Sequence, residues 1–173
     1  VLKPSSGYRV FTFNLPKYAY IVLDGLIIDG SNISIDAVKI TGYGGWYSTN
    51  VSHHIWIKNS TIKNAAGQGI LVTGLANSNR FTNLDVYNNG FRAIELSRAH
   101  YHGIYISTND NMIEYSKFHD NSGGGVLVYE ETYGPISNNI VRYNLVYDNA
   151  KGGSYGMGIG LQSGPGHEAY GNI

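Results

Sequence analysis

The sequence predicts an all-β solenoid whose coils are short strands stacked in parallel. Three observations predict it. The composition lacks long runs of helix formers and is rich in Gly (23 residues) and Tyr (15), with Asn throughout. An octapeptide pattern occurs five times along the 173 residues. Behind each copy stands a second short apolar strand introduced by a small residue.

The octapeptide reads first as LDGLIIDG (23–30), then as IKNSTIKN (57–64), FTNLDVYN (81–88), IEYSKFHD (113–120) and VRYNLVYD (141–148). Each copy has an apolar residue, four others, a second apolar residue, one more, and then Gly, Asn or Asp. The second strands are AVKI (37–40), GILV (69–72), AIEL (93–96), GVLV (125–128) and GIGL (158–161). A repeat of ~24–34 residues without a crossover helix is the size of a solenoid coil. Parallel stacking of the second strands predicts an inward row Val38, Ile70, Ile94, Val126 and Ile159, aliphatic throughout. YRVFTF (8–13) and HGIYIS (102–107) are expected to supply a third strand to their coils. Asn64, Asn88, Asp120 and Asp148 recur where the chain turns, since these residues adopt left-handed backbone cheaply and stacked amides bond along the axis.

Charge is sparse, at 14% of residues, and the 12 Lys+Arg balance the 12 Asp+Glu. No basic run stands out, so nucleic acid is not an expected partner, and no stretch approaches the ~20 apolar residues of a membrane helix. The absence of cysteine removes disulfides, Cys-ligated zinc and thiol catalysis. The first residues lack a signal peptide's regions. The chain opens in mid-pattern and closes on EAYGNI, so a single domain over 1–173, truncated at one or both ends, is expected.

The phrases LDGLIIDG, GQGILVTG, HGIYIS and GIGLQSG resemble the right-handed parallel β-helix repeat proteins of the pectate-lyase-like superfamily. The resemblance covers nearly the whole chain. It implies a right-handed parallel β-helix of about five to six rungs, with three short strands per rung. It also implies lyases, hydrolases or epimerases acting on polysaccharides, or adhesins that do not cleave. The expectation is a secreted or cell-surface protein that binds, and in one version cleaves, an extracellular polysaccharide. The alternative is a structural module that associates end to end.

Function is expected on the outward rows of the second strands: Lys39, Leu71, Glu95, Leu127 and Gly160, then Thr41, Thr73, Ser97, Tyr129 and Gln162. Arg98 and Glu130 are read as matching places on adjacent coils. The candidate catalytic residues are Glu95, Arg98, Glu130, Lys39 and His100. Glu95 and Glu130 would be a hydrolase's two carboxylates; the cations would serve a lyase, for which the resemblance also implies Ca²⁺ held by carboxylates. Trp46, Tyr47, Tyr101, Tyr129 and Tyr133 are the candidate sugar-binding rings. No metal site is expected from the histidines. His53 and His54 are adjacent, so their side chains should diverge on a strand, and His100 and His102 lack a third ligand. The Gly runs at 123–125 and 156–160 precede no helix and are not phosphate loops.

Overall fold

The computed structural model describes residues 1–14, 18–42, 51–91, 100–130, 134–153 and 156–173. Its strands form two parallel sheets that wind as one solenoid. One wall contains β1 (Phe11–Phe13), β4 (Val38–Ile40), β6 (Ile70–Val72), β8 (Ile104–Ile106), β11 (Val126–Val128) and β14 (Ile159–Leu161), stacked in that order. The other contains β2 (Val22–Asp24), β3 (Ile27–Asp29), β5 (Trp56–Lys63), β7 (Arg80–Tyr87), β9 (Met112–Glu114), β10 (Lys117–His119), β12 (Ile140–Arg142), β13 (Leu145–Tyr147) and β15 (Glu168–Tyr170).

The octapeptide register is the register of this nine-stranded wall. Leu23, Ile57, Phe81, Ile113, Val141 and Ala169 pair in one row, at spacings of 34, 24, 32, 28 and 28 residues. Ile28, Ile62, Val86, Phe118 and Val146 pair in a second row. Both point inward, and Ile57, Phe81, Ile113, Val141, Ile28, Ile62, Val86 and Phe118 are fully buried. Full burial of such side chains contributes roughly 1.5–3 kcal/mol each.

The six-stranded wall corrects the sequence reading at one coil. The slot between Ile70 and Val126 belongs to Ile104, and Ile106 stands between Val72 and Val128. Ile94 and its neighbours lie outside the described residues. HGIYIS and YRVFTF are therefore strands of this wall, not third strands. The third strand of a rung is the second half of the octapeptide, for example β3, β10 and β13.

Backbone chirality explains the corners. Three columns of residues take left-handed φ. The middle of the octapeptide has Gly25, Asn59, Asn83, Tyr115, Tyr143 and Gly171, at φ 49° to 68°. Its end has Asn64, Asn88, Asp120 and Asp148, and its entry has Tyr20, His54, Ser78, Asp110, Asn138 and Gly166. A left-handed residue breaks the strand's alternation, so the next side chain turns inward at a corner where backbone groups lack sheet partners. Polar side chains, among them Ser60, Asn79, Asn89, Asn111, Ser116 and Asn121, fill most of those places and satisfy them, while Leu26, Ile55, Ala65 and Leu84 fill others.

Asn89, Asn121 and Asn149 form one buried ladder. Asn89 Nδ2 donates to Asn121 Oδ1 (3.0 Å), and Asn121 Nδ2 to Asn149 Oδ1 (2.9 Å). The same oxygens accept the backbone N–H of Asn89 and Asn121. Asn121 Nδ2 also donates to the Val86 carbonyl. Asn79, Asn111 and Asn139 repeat the arrangement and end on His167 Nδ1 (3.0 Å from Asn139 N). Ser116, Asn144 and Asn172 make the third. Outside the barrel, shorter ladders run from Asn83 to Asn59 to Asp24 and from Asn88 to Asn64 to Asp29.

The next coil's backbone and the ladders together dictate the glycine before β6 and β8. A methyl group added at Gly69 would lie 2.5 Å from the Gly103 carbonyl oxygen and 2.9 Å from Asn89 Nδ2, and one at Gly103 would lie 2.8 Å from the Gly125 carbonyl oxygen and 2.9 Å from Asn121 Nδ2. Ala37 is tolerated where the following coil carries Ala65, which has no amide, in place of Asn89.

Asn121→Ala strands several buried donors and acceptors at once and is expected to cost more than about 2 kcal/mol. Asn88→Gly keeps the left-handed corner and loses only an exposed contact, an effect of under about 0.5 kcal/mol. Urea melts of the two variants check this ordering; equal costs would remove the ladder from its place in the fold.

Candidate functional site

Outward rows of the nine-stranded wall gather the chemistry. Lys58, Thr82, Glu114 and Arg142 form one row, and Trp56, Arg80, Met112 and Ile140 the next. Glu114 lies on the outer side yet is 0% exposed, because its neighbours close over it. Arg80 Nε donates to Oε1 at 2.7 Å, and Arg80 Nη2 binds the same oxygen. Arg142 donates to Oε2 through Nε (2.9 Å) and Nη2 (2.6 Å). Burial alone would raise the Glu114 pKa. Hydrogen bonds from Arg142 and Arg80, together with their charges, outweigh it and hold the carboxyl below the ordinary range.

The triad fixes two guanidinium groups on the surface. Arg80 lies 4.9 Å from the Trp56 ring centroid, and Lys58 Nζ approaches the same ring at 4.5 Å. Trp56 Nε1 donates to Thr82 Oγ1 (3.1 Å), which in turn contacts Glu114 Oε1 (3.3 Å). Arg142 Nη1 donates to the Tyr170 hydroxyl (3.0 Å), so every nitrogen of Arg142 has a partner. Arg80 Nη1 makes no such contact among the described residues. Beside it opens a shallow groove of about 320 Å³ lined by Tyr20, Val22, His54, Ile55, Trp56, Ser78 and Arg80.

A second constellation lies further round the same wall. His119 is stacked between Tyr87 (5.0 Å) and Tyr147 (4.8 Å). Its nitrogens meet Asp85 (3.0 Å) and Asp120 (2.8 Å), and Lys151 binds Asp120. Tyr115 and Tyr143 stack in the same manner at 5.3 Å. These rings spend their faces on one another along the solenoid axis, so they bind rungs together rather than sugars.

The sequence-predicted residues do not converge. Lys39 shares its row with Leu71, Tyr105 and Leu127, three strands from Leu127, or roughly 14 Å at the spacing of parallel strands. Tyr105, not Glu95, is the residue in that outward row. The place matching Glu130 on the preceding coil falls to buried Thr108 rather than Arg98. His100 and Tyr101 precede β8, whereas Tyr129 and Glu130 follow β11, so a strand's length separates the two pairs. Tyr129 is 43% exposed and faces outward. Glu95, Arg98, Trp46, Tyr47 and Tyr133 lie outside the described residues. Among the described residues no group of three or more His, Asp or Glu is placed to hold a metal.

The remaining histidines differ from one another in role. His102 is buried, and its Nδ1 accepts the Gly124 N–H at 2.6 Å. Burial, with the charge of His100, pushes its pKa down to about 4. His53 and His54 do not diverge: their Nδ1 atoms lie 2.7 Å apart. The left-handed backbone of His54 (φ 53°) cancels the alternation that an unbroken strand would impose.

The Trp56–Arg80–Glu114–Arg142 group was legible in principle. The second residue of the octapeptide reads Asp24, Lys58, Thr82, Glu114 and Arg142 down the stack, four charges and a threonine beside the apolar row.

The family model described as right handed beta helix region matches residues 20–172. No curated protein and no solved structure matches the chain.

Two pH effects follow. His102 is neutral in the fold, so stability is full above its ordinary 6.5 and falls as pH drops toward about 4, where the unfolded chain binds the extra proton. The span corresponds to about 3 kcal/mol. Melts between pH 7 and 4.5 should show this slope, and His102→Gln should flatten it. Glu114 is held ionised, so its contribution is present above 4.5 and is lost as pH falls through its depressed value. Glu114→Gln should cost about 3 kcal/mol at pH 7 and leave a shallower acid limb below pH 4.5 in chemical denaturation.

Proposed function

The chain belongs to the right-handed β-helix family, and on that footing we propose that it binds an extended extracellular polysaccharide along the outward face of the nine-stranded wall. The carrying observation is the groove at Tyr20, Trp56 and Arg80. It joins apolar ring surface to a guanidinium whose orientation is set beforehand by Glu114 and Trp56. That combination suits a sugar ring bearing a carboxylate or sulfate: the aromatic surface takes the C–H face, and Arg80 Nη1 takes the acid. The groove is open, as a polymer site must be.

The reading is one of binding. Glu114 is ionised and saturated by two guanidinium groups, so it has no proton to give a leaving oxygen and no lone pair poised to accept one. Cleavage would fall to the second wall, where Glu130 and Lys39 stand far apart. We place the protein outside the cell, where such polymers occur.

The test is a binding panel of alginate, polygalacturonate, chondroitin sulfate and a neutral glucan, read by affinity electrophoresis and calorimetry. Binding to at least one acidic polymer is expected, weakening with salt because the contact is exposed. Arg80→Ala and Trp56→Ala should each lower it about tenfold, the loss of a well-placed contact worth roughly 1.4 kcal/mol. No binding across the panel, or binding indifferent to both variants, sinks the proposal.

A further inference from the structure

The polysaccharide reading does not use the His53–His54 pair. The two Nδ1 atoms face each other at 2.7 Å. This depends on the left-handed corner at His54, which brings neighbouring side chains to one side. Tyr20 packs on both rings, edge-on to His53 at 5.6 Å and tilted on His54 at 4.8 Å, and holds them together. His54 is exposed and His53 partly so. Among the described residues neither meets an acidic partner, in contrast to His119 between its aspartates.

We propose that His53 and His54 form a chelating site for a divalent transition metal of tetragonal preference, Cu²⁺ above all. In the metal-free protein one proton bridges the nitrogens. Binding replaces that bridge: both Nδ1 lone pairs go to the metal, and the displaced proton moves to the other nitrogen of the same ring, so both imidazoles stay neutral. Geometry selects the metal. With M–N bonds of about 2.0–2.1 Å, two nitrogens at a right angle stand about 2.8–3.0 Å apart, while tetrahedral ligands stand about 3.3–3.4 Å apart. The observed separation lies within a few tenths of an ångström of the right-angled value. For a square-planar or tetragonal ion the rings need only turn their lone pairs from each other toward the metal; tetrahedral Zn²⁺ needs them to part as well, against Tyr20. Copper also leads the ordinary affinity order for nitrogen donors. The remaining positions belong to water or an added ligand. His54 lines the groove that holds Trp56 and Arg80, so an ion there would face whatever occupies it.

The test uses the chain as it stands, titrated with Cu²⁺ and separately with Zn²⁺ at neutral pH, by calorimetry and electron paramagnetic resonance. One Cu²⁺ site with a tetragonal spectrum and nitrogen hyperfine structure is expected, with Zn²⁺ at least tenfold weaker. His54→Asn preserves the corner, since Asn accepts left-handed φ, and His53→Gln leaves the backbone unaltered. Each should lower Cu²⁺ affinity at least tenfold and reduce the nitrogen coupling, while circular dichroism remains that of the parent. A Cu²⁺ affinity unchanged in both variants, or Zn²⁺ binding as tightly as Cu²⁺, overturns the assignment. Polysaccharide binding is measured without metal, so the two proposals fail separately.

Discussion

The hydrogen bond from a corner amide to the next coil's inward Asn, such as Asn89 N–H to Asn121 Oδ1, is the constraint on which the solenoid depends. A coil of short strands turns several times per rung, and every turn brings backbone donors and acceptors inside without a sheet partner. Leaving one buried and unmet costs about 1–3 kcal/mol, and the cost recurs on every rung. A left-handed residue followed by an inward amide solves this with two consecutive positions. The amide of Asn121 serves the preceding coil's backbone, at Asn89 N–H and the Val86 carbonyl, and the amides on both sides together. The aliphatic rows supply the driving force, but the amides fix the register at which they stack.

The same economy shapes the outer face. Once the corners hold, successive coils deliver equivalent outward positions one strand apart. Residues remote in sequence then meet in rows. Arg80, Glu114 and Arg142 are such a meeting. No two of them are close in sequence, yet a carboxylate without solvent contact lies between two guanidinium groups. The stacked Tyr87–His119–Tyr147 rings arise identically, with the opposite outcome, since packing on one another leaves their faces unavailable.

What was legible in the sequence follows the strength of local rules. The octapeptide was legible because its two inward residues and closing turn residue are fixed by burial and chirality, and its alignment is the observed register. The second wall was less so, because four-residue apolar strands are common: AIEL and GIYI both satisfy an apolar–x–apolar pattern. The arbiter was the residue before the strand. At this slot only glycine fits, as Gly103 shows against the Gly125 carbonyl and Asn121, and AIEL begins with an alanine whose methyl group has no room there. The error carried the candidate site with it, because each outward residue on that coil was assigned from the wrong strand. The column Asp24, Lys58, Thr82, Glu114 and Arg142 is hidden in the sequence because its members stand 24–34 residues apart and meet only once the coils stack. The His53–His54 contact was not readable from alternation, since it exists only where alternation is broken.

The inner and outer amide ladders carry opposite electrical sense. Inside, each Nδ2 points toward the later coil: Asn89 to Asn121 to Asn149, and Asn144 to Asn172. Outside, each points toward the earlier coil, from Asn88 to Asn64 to Asp29 and from Asn83 to Asn59 to Asp24. Backbone partners orient the inner amides, and the terminal carboxylates, which only accept, orient the outer ones. An α-helix aligns its peptide dipoles and accumulates partial charge at its ends. Here the side-chain amides of core and surface run in opposite senses along the axis, unlike the uniformly aligned peptides of a helix.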